Sequence, residues 1–510
     1  MHETHGTHKA AGPEGLADGE GKRADAARQE NGDSRQKDTT LAPNTPLAKD
    51  TDETKKMPLA KDTKGIKDAT GASEAARTKK REQPILPVVF GYDIAAYSFA
   101  RIFHEAIGVR SLVVADAMRG PIDNSSIFDV RLVNKGALDD EASFLDILDR
   151  VVDDFSDRRL ILLVNTDEAV GFVSRHRERL SRNWFLPYGE AQAVATANSK
   201  AEMARIITGL GLSVPARTRV DLREPSTWES ALEGLTFPVV VKPEEASDLS
   251  RFWNQGLRKV LPLPNLEDAL ATFAKWREGG VATRLIVQEL IPGDDTTQWV
   301  VNGYVDTRGV VTACGSGRVI LGLHQPEYLG NAGIILTEHN PKLIEQAQSI
   351  VTRVGLRGFF SMDVKVDPRD GIPRWLDLNP RIGRGHYYLK VAGVDLAKAM
   401  LADMENEEAA SATFVGSASA AFVGSASAAS ATNTREAIFC IIPAALANRT
   451  YVRDSQLYAR VRRAKKNDVV NPLAYSADKH FKRTFYRLAN GVNQWRRMRA
   501  WYPEPTDSGF

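Results

Sequence analysis

The sequence is poor in cysteine and has no long apolar run, and both absences exclude classes of protein. Cys314 and Cys440 are the two cysteines among 510 residues, so the chain has neither a disulfide framework nor closely spaced cysteine metal ligands. No apolar run reaches the roughly 18 residues that indicate a membrane-spanning helix. The opening MHETHGTHKA lacks the apolar core of a secretory signal. Together these absences predict a cytoplasmic protein.

The chain also lacks a strong charge of either sign. Its formal net charge is +2 and 26% of its residues are charged, which is ordinary for a globular protein and gives no argument for a nucleic-acid partner. Large apolar residues are scarce in residues 1–82, where PLAKDT occurs twice. Such a segment buries too little apolar surface to offset the entropy of ordering, so we predict a disordered tail. The alternative to a plain solvated tail is a tether for a partner.

Apolar strand patterns begin after this tail. ILPVVFG, SLVVAD and RLILLVN read as buried strands that alternate with helical segments, which predicts a parallel α/β domain over residues 83–186. A second α/β region follows over 187–404, with capping boxes at Ser199 and Ser226 and an Asn265 cap that begin helices. An alanine- and serine-rich stretch, 405–434, is predicted to be a linker, with a helix as the alternative. Residues 435–510 form a basic, aromatic C-terminal region.

The strongest chemical signal is a hairpin, SMDVKVD followed by WLDLNPRIGRG. Alternation along a strand places Asp377 and Asn379 on one face, and Asp363 on the partner strand lies opposite that face. Two carboxylates and an amide oxygen are the hard ligands that suit Mg²⁺ shared with nucleotide phosphates. Arg381 falls on the same side, where a guanidinium can stabilise charge that develops during phosphoryl transfer. The alternative is a polar hairpin with solvated carboxylates.

Two lysines and one strand end add to this signal. Lys200 lies in the first turn of a capped helix, and Lys242 follows the apolar strand FPVVV, where an ammonium can bind phosphate oxygens. The strand IVQELIPGDD ends at residues 288–291, called here the hinge, whose backbone groups can face an adenine edge. For each lysine alone, a surface ion pair is the alternative interpretation.

The order and spacing of these features resemble the ATP-grasp superfamily. The resemblance implies an α/β (α+β) fold with an N-terminal pre-ATP-grasp domain and a two-lobed clamp that closes on ATP, with Mg²⁺ or Mn²⁺. It implies these roles: phosphate binding by Lys200 and Lys242; adenine binding by Gln288, Glu289, Leu290 and Ile291; ribose binding by Asp295; metal binding by Asp363, Asp377 and Asn379; and catalysis by Arg381 and, at a further phosphate position, Arg318. The segment EEASDLSRFWNQG departs from the glycine-rich loop of many members, which weakens the expectation of backbone phosphate contacts there.

Within the superfamily, residues 85 to about 400 are similar to the D-aspartate ligases of peptidoglycan synthesis. The likeness implies an acyl phosphate and an amide product, with an amino acid such as D-aspartate as the acid and a peptidoglycan precursor as the amine acceptor. A ligase with another substrate pair, such as a dipeptide or natural-product ligase, and a nucleotide-binding regulator without turnover are the alternatives. The C-terminal region is expected to bind an anionic precursor, to touch a membrane peripherally through Trp495 and Trp501, or simply to pack on the clamp.

Overall fold

A computed structural model of the chain describes residues 83–414 and 430–509. The predicted tail, 1–82, and residues 415–429 of the predicted linker lie outside the described residues. The strands are β1 (Ile85–Phe90), β2 (Ser111–Ala115), β3 (Phe128–Leu132), β4 (Arg159–Leu163), β5 (Trp184–Phe185), β6 (Arg217–Asp221), β7 (Val239–Pro243), β8 (Leu261–Leu263), β9 (Arg284–Glu289), β10 (Gln298–Val305), β11 (Val311–Leu323), β12 (Asn331–Leu336), β13 (Gly358–Val366), β14 (Pro373–Asn379), β15 (Ile438–Cys440) and β16 (Val469–Val470).

The helices connect these strands. They are α1 (Ile94–Ile107), α2 (Glu141–Asp154), α3 (Asp167–Arg175), α4 (Arg177–Leu180), α5 (Ala191–Asn198), α6 (Lys200–Gly209), α7 (Trp228–Leu232), α8 (Ala246–Phe252), α9 (Leu266–Glu278), α10 (Pro341–Val354), α11 (Tyr387–Val391), α12 (Leu396–Phe414), α13 (Ser455–Asn467) and α14 (Phe481–Trp501). No helix within 83–414 and 430–509 is both long enough and apolar enough to cross a membrane.

The first sheet is parallel, as its uninterrupted apolar strands predict. Its order is β3-β2-β1-β4-β5, and both faces are covered by helices, which is why β2 and β4 are buried along their whole length. Asp93 caps α1 by accepting hydrogen bonds from the amides of Ala95 and Ala96. Because Asp93 follows β1 directly, the cap lies at the carboxyl edge of this sheet, where the loops of an open α/β sheet form a crevice.

The clamp region contains two further sheets. The smaller one has the order β6-β9-β7-β8 and packs on α7 and α9 around a core of its own. We call it, with its helices, the small lobe. The larger one has the order β14-β13-β10-β11-β12-β15-β16, and we call it the central sheet. Strand alternation divides the core of the central sheet, because Val300 and Tyr304 of β10 join the core of the N-terminal domain whereas Val301 and Val305 face α10.

Two expectations from the sequence are wrong in detail. Helix α12 runs to Phe414, so the first ten residues of the predicted linker are helical. Ser226 does not cap a helix, because residues Pro225–Thr227 form a 3₁₀ turn and α7 begins at Trp228 without a side-chain cap. Ser199 and Asn265 do cap α6 and α9, by accepting from the amides of Glu202 and Asp268.

A buried carboxylate is one of the links between the C-terminal region and the N-terminal domain. Asp478 is 4% exposed and accepts hydrogen bonds from Tyr97 (2.9 Å), Ser125 (2.8 Å) and the Ser126 amide (2.7 Å). Arg483 forms an ion pair with it at 3.2 Å. Burial alone would raise the pKa of Asp478, but the Ser126 and Ser125 hydrogen bonds and Arg483 lower it below its usual value.

Replacing this carboxylate should destabilise the protein in a pH-dependent way. Asp478→Ala leaves Arg483 buried without its anion, so we expect the free energy of unfolding at pH 7 to fall by about 3–5 kcal/mol. A depressed pKa contributes stability above the unfolded value of about 4 and loses it as the pH falls through the folded value. The difference between the two proteins should therefore shrink below about pH 4. Urea unfolding checks this, with Asp129→Ala as the control, because the Asp129 side chain is 72% exposed.

Candidate functional site

A cavity of about 1040 Å³ lies where the N-terminal domain, the small lobe and the central sheet meet. The N-terminal domain contributes the loops after β1, β2 and β4, including Asp93, Asp116 and Asp167. The small lobe contributes the end of β7 and the segment before β8, and the central sheet contributes β13 and β14. Three structural units therefore supply side chains to one space, which is typical of a ligand site between domains.

The hairpin of β13 and β14 places its polar side chains in this cavity. Asp363 and Asp377 are direct partners across the two strands, and Ser361 is the partner of Asn379. Asp363, Asp377 and Asn379 all line the cavity, as the strand alternation predicts. Burial and the neighbouring Asp377 carboxylate raise the pKa of Asp363 to about 7.

Two lysines predicted from the sequence line the same cavity. The Lys242 ammonium lies 3.3 Å from the Asp377 carboxylate, and Lys200 lines the wall nearby, in the first turn of α6. Burial raises the pKa of Asp377, but Lys242, Lys200 and Arg217 together bring it below its usual value. Asp377 is thus held as an anion by a cluster of cations, whereas Asp363 is held closer to neutrality.

A third lysine in the cavity was not predicted from the sequence. Lys259 lies between α8 and β8, and its ammonium donates to the Leu329 carbonyl at 3.0 Å. Leu329 belongs to the loop between β11 and β12, so this bond joins the small lobe to the central sheet. Burial lowers the pKa of Lys259, and Asp363 opposes that shift. GLRKV gives no periodic or capping signal, so only the tertiary fold identifies this lysine.

Arg381 is held in the cavity by an ion pair with the N-terminal domain. Its guanidinium lies 2.5 Å and 3.0 Å from the two carboxylate oxygens of Asp167 and 3.4 Å from the amide oxygen of Asn379. Asp167 begins α3, just beyond β4, and was not predicted as a site residue. Arg384 forms a similar pair with Asp93 at 3.0 Å. The two pairs place positive and negative groups side by side at the N-terminal end of the cavity.

The hinge residues do not line this cavity. Glu289 and Leu290 instead border a second pocket of about 330 Å³, together with Pro238, Arg369 and Asp507. The amides of Glu289 and Leu290 donate to the carbonyls of Ala216 and Pro238, and the Glu289 carboxylate pairs with Arg369 at 2.9 Å. Their adenine-binding roles stay predictions, and so does that of Ile291, which is buried.

Gln288 is the hinge residue whose buried side-chain oxygen accepts no hydrogen bond from the described residues. It is 5% exposed and pairs with Arg217 of β6 and Val240 of β7. Its side-chain oxygen has no hydrogen-bond partner among the described residues. A buried amide oxygen without a partner carries a free-energy cost unless a ligand or water satisfies it. This agrees with a role in nucleotide binding, which stays a prediction.

Asp295 and Arg318 lie outside the residues that line the large cavity. The Asp295 carboxylate accepts from the Gly322 amide (2.8 Å) and pairs with His324 (2.9 Å). The Arg318 guanidinium donates to the Thr296 carbonyl at 2.7 Å. Burial lowers the pKa of Arg318. Both predicted roles, in ribose binding and in catalysis, would require these side chains to exchange their protein contacts for a ligand.

The carboxylate pair fits a divalent ion that is shared with a ligand. Asp363, Asp377 and Asn379 offer only hard oxygen donors, which suits Mg²⁺ or Mn²⁺ completed by phosphate oxygens. Burial and then repulsion from Asp377 raise the pKa of Asp363, and a nearby cation would oppose both effects. Within the described residues, no group of three or more His, Cys, Asp or Glu side chains is placed to hold an ion by itself. Phosphate oxygens would complete the coordination of an ion at Asp363, Asp377 and Asn379.

Comparisons with known proteins found similar sequences and similar structures. A family model described as ATP-grasp in the biosynthetic pathway with Ter operon matches residues 313–421. The D-aspartate ligase of Enterococcus faecium (strain Aus0004) is 26% identical over 327 residues, which cover 63% of this chain and 77% of that protein. Among solved structures, an L-amino acid ligase from Bacillus licheniformis has 16% identity and a TM-score of 0.45, covering 64% of this chain and 75% of its own. A biotin carboxylase complex from Campylobacter jejuni has 13% identity and a TM-score of 0.48, covering 63% and 71%.

Proposed function

We propose that this chain, an ATP-grasp ligase, joins an amino acid of the D-aspartate type to an amine of a peptidoglycan precursor. The observation that supports the proposal is the shared cavity of Lys200, Lys242, Asp363, Asp377, Asn379 and Arg381. The relative named D-aspartate ligase supports the choice of acid. A cytoplasmic location belongs to the same proposal, because the reaction consumes ATP.

In the first step, an oxygen of the substrate carboxylate attacks the γ-phosphorus of ATP, and ADP leaves. Lys200 and Lys242 bind phosphate oxygens and lower the charge repulsion between the two anions. Arg381, held by Asp167, faces the group in transfer and stabilises its charge. Mg²⁺, when bound at Asp363, Asp377 and Asn379, supplies further charge neutralisation for the phosphates. The product is an acyl phosphate.

In the second step, the neutral amine attacks the acyl carbon, and phosphate leaves. The amine loses one proton as the amide forms, and the departing phosphate takes it, so the products are the amide and hydrogen phosphate. Arg384 and Asp93 offer opposite charges within 3.0 Å of each other, which matches an amino acid that carries both a carboxylate and an ammonium. The bond between Lys259 and Leu329 holds the loop between β11 and β12 across the cavity, and this closure keeps water from the acyl phosphate. Catalysis is then chiefly positioning and electrostatic stabilisation.

The choice of acid is tested by ADP formation with single amino acids. With a peptidoglycan-derived amine acceptor present, we expect D-aspartate to stimulate ADP release about tenfold or more over L-aspartate, because the cavity binds a chiral zwitterion at several points. A coupled assay for ADP, followed by mass measurement of the amide product, checks this. A preparation of Asp377→Asn gives the background from contaminating ATPases.

Two other outcomes of this screen have clear meanings. Stimulation by a different amino acid alone would favour a dipeptide or natural-product ligase of the same chemistry. ATP binding without ADP formation for any acid would favour the nucleotide-binding regulator. The membrane contact of the C-terminal region is a separate proposal, since amide formation requires only the nucleotide, the acid and the amine.

A further inference from the structure

The last helix, α14, turns a row of apolar side chains towards solvent. Phe481, Phe485, Leu488 and Val492 are 75%, 73%, 62% and 63% exposed. Their spacing of four, three and four residues places them on one side of the helix. Helices of globular proteins ordinarily turn such a row towards the core, because burying it removes apolar area from water. A continuous exposed row therefore indicates a contact with something other than water.

The opposite side of α14 is fixed to the rest of the protein, so the row cannot turn inwards. Arg483 donates to the carbonyls of Pro121 (3.1 Å) and Asp123 (2.8 Å), and Met498 is buried in the core beneath the C-terminal region. Tyr486 packs so closely on Gly120 that a Cβ there would lie 2.0 Å from its ring. These contacts span the helix from its first turn to its last.

The charge of α14 has one sign. The helix contains Lys482, Arg483, Arg487, Arg496, Arg497 and Arg499, and no acidic residue occurs between Lys479 and Pro503. Arg483 is buried against Asp478, but Lys482, Arg496, Arg497 and Arg499 are exposed. An apolar row with cations around it and no anions complements a surface that is apolar inside and anionic at its edge.

We propose that the exposed face of α14 binds the interface of an anionic membrane, with Phe481, Phe485, Leu488 and Val492 among the acyl chains and the exposed cations at the phosphates. The contact is peripheral, and the helix lies parallel to the surface. A second copy of this chain is the competing occupant. Two α14 helices packed face to face would bring the four exposed cations of one helix close to the four of the other, without any acidic residue on either helix to offset them.

Vesicle sedimentation with the full chain tests this contact. We expect the protein to sediment with phosphatidylglycerol vesicles, to bind phosphatidylcholine vesicles at least tenfold more weakly, and to lose affinity for the anionic vesicles as salt increases. The triple variant Phe481→Gln, Phe485→Gln, Leu488→Gln should bind the anionic vesicles at least tenfold more weakly than the unchanged protein. Leu132→Gln with Ile372→Gln is the matched control, because both residues are exposed apolar residues, at 57% and 43%, and belong to other elements of the fold, β3 and the turn before β14.

Three results would overturn the proposal. The first is an unchanged protein that stays in solution with phosphatidylglycerol vesicles. The second is a triple variant that binds like the control. The third is a dimer in solution that dissociates when the triple substitution is made, which would show that the exposed face of α14 binds a second copy of the chain. ADP formation in solution is measured on the same proteins and should be equal in all of them. Loss of vesicle binding is therefore distinguishable from failure of the ligase proposal.

Discussion

Asp377→Asn is expected to abolish ADP formation, with a loss of about 10³-fold or more. Asparagine keeps the shape of the side chain but removes the charge that pairs with Lys242 at 3.3 Å and that would bind a divalent ion. Several kcal/mol of charge stabilisation depend on such a ligand, and each 1.36 kcal/mol is a factor of ten in rate. The measurement is ADP release with saturating ATP, Mg²⁺ and the best acid from the screen.

Asp370→Asn is the matched control for this loss. Asp370 lies in the turn of the same hairpin and pairs with Arg374, outside the residues that line the cavity. The Asp370→Asn protein should form ADP at close to the rate of the unsubstituted protein. Thermal unfolding of both variants separates a chemical effect from misfolding. An Asp377→Asn protein that is folded and retains more than a tenth of the activity would remove Asp377 from the proposed metal site.

Arg381→Ala is expected to lower kcat by about 10²–10³-fold while the KM for ATP changes little. That pattern arises when a group acts on charge that develops in the transition state and contributes little to ground-state binding. Arg381→Lys should recover only part of the rate, because an ammonium cannot keep both contacts to Asp167, at 2.5 Å and 3.0 Å. Steady-state kinetics over a range of ATP concentrations gives the two constants separately.

Asp167→Asn distinguishes positioning from direct action. The substitution leaves the Arg381 guanidinium charged but releases it from its partner, so we expect a smaller loss of kcat than in Arg381→Ala. Arg205→Ala is the control, since Arg205 is an exposed arginine of α6 that pairs with Glu202. A rise in the KM for ATP at unchanged kcat would show instead that Arg381 binds the nucleotide before reaction.

The parts of the site that depend on local periodicity were predictable from the sequence. Alternation along β14 was enough to place Asp377 and Asn379 on one face, but the pairing of Asp363 with Asp377 depends on a shift of register between Asp363 and Val364 that alternation does not predict. A capping residue is also a local signal, and the cap at Ser199 placed Lys200 in the first turn of a helix. The shared face of Asp377 and Asn379 and the cap at Ser199 depend only on neighbours in the chain, so they can be predicted without the tertiary fold.

Contacts between distant segments were not predictable in this way. Asp167 and Arg381 are 214 residues apart, and Lys259 and Leu329 are 70 residues apart, so no spacing rule connects them. The phosphate role of Arg318 came from the resemblance alone and stays a prediction, and the contact of its guanidinium with the Thr296 carbonyl could not be predicted from spacing. Tertiary packing decides which polar group a long side chain contacts. Spacing and periodicity in a single sequence do not predict that contact.

The separate core of the small lobe has a mechanical consequence. Val239, Val241, Phe273 and Trp276 belong to a cluster that contains no residue of the other two sheets, whereas the N-terminal sheet and one face of the central sheet share a single cluster. A swing of the small lobe therefore breaks few apolar contacts and leaves the rest of the molecule as one stiff body. Nucleotide entry and product escape would then be limited by rupture of polar links such as the one between Lys242 and Asp377, and would respond to ionic strength more than to hydrophobic substitutions.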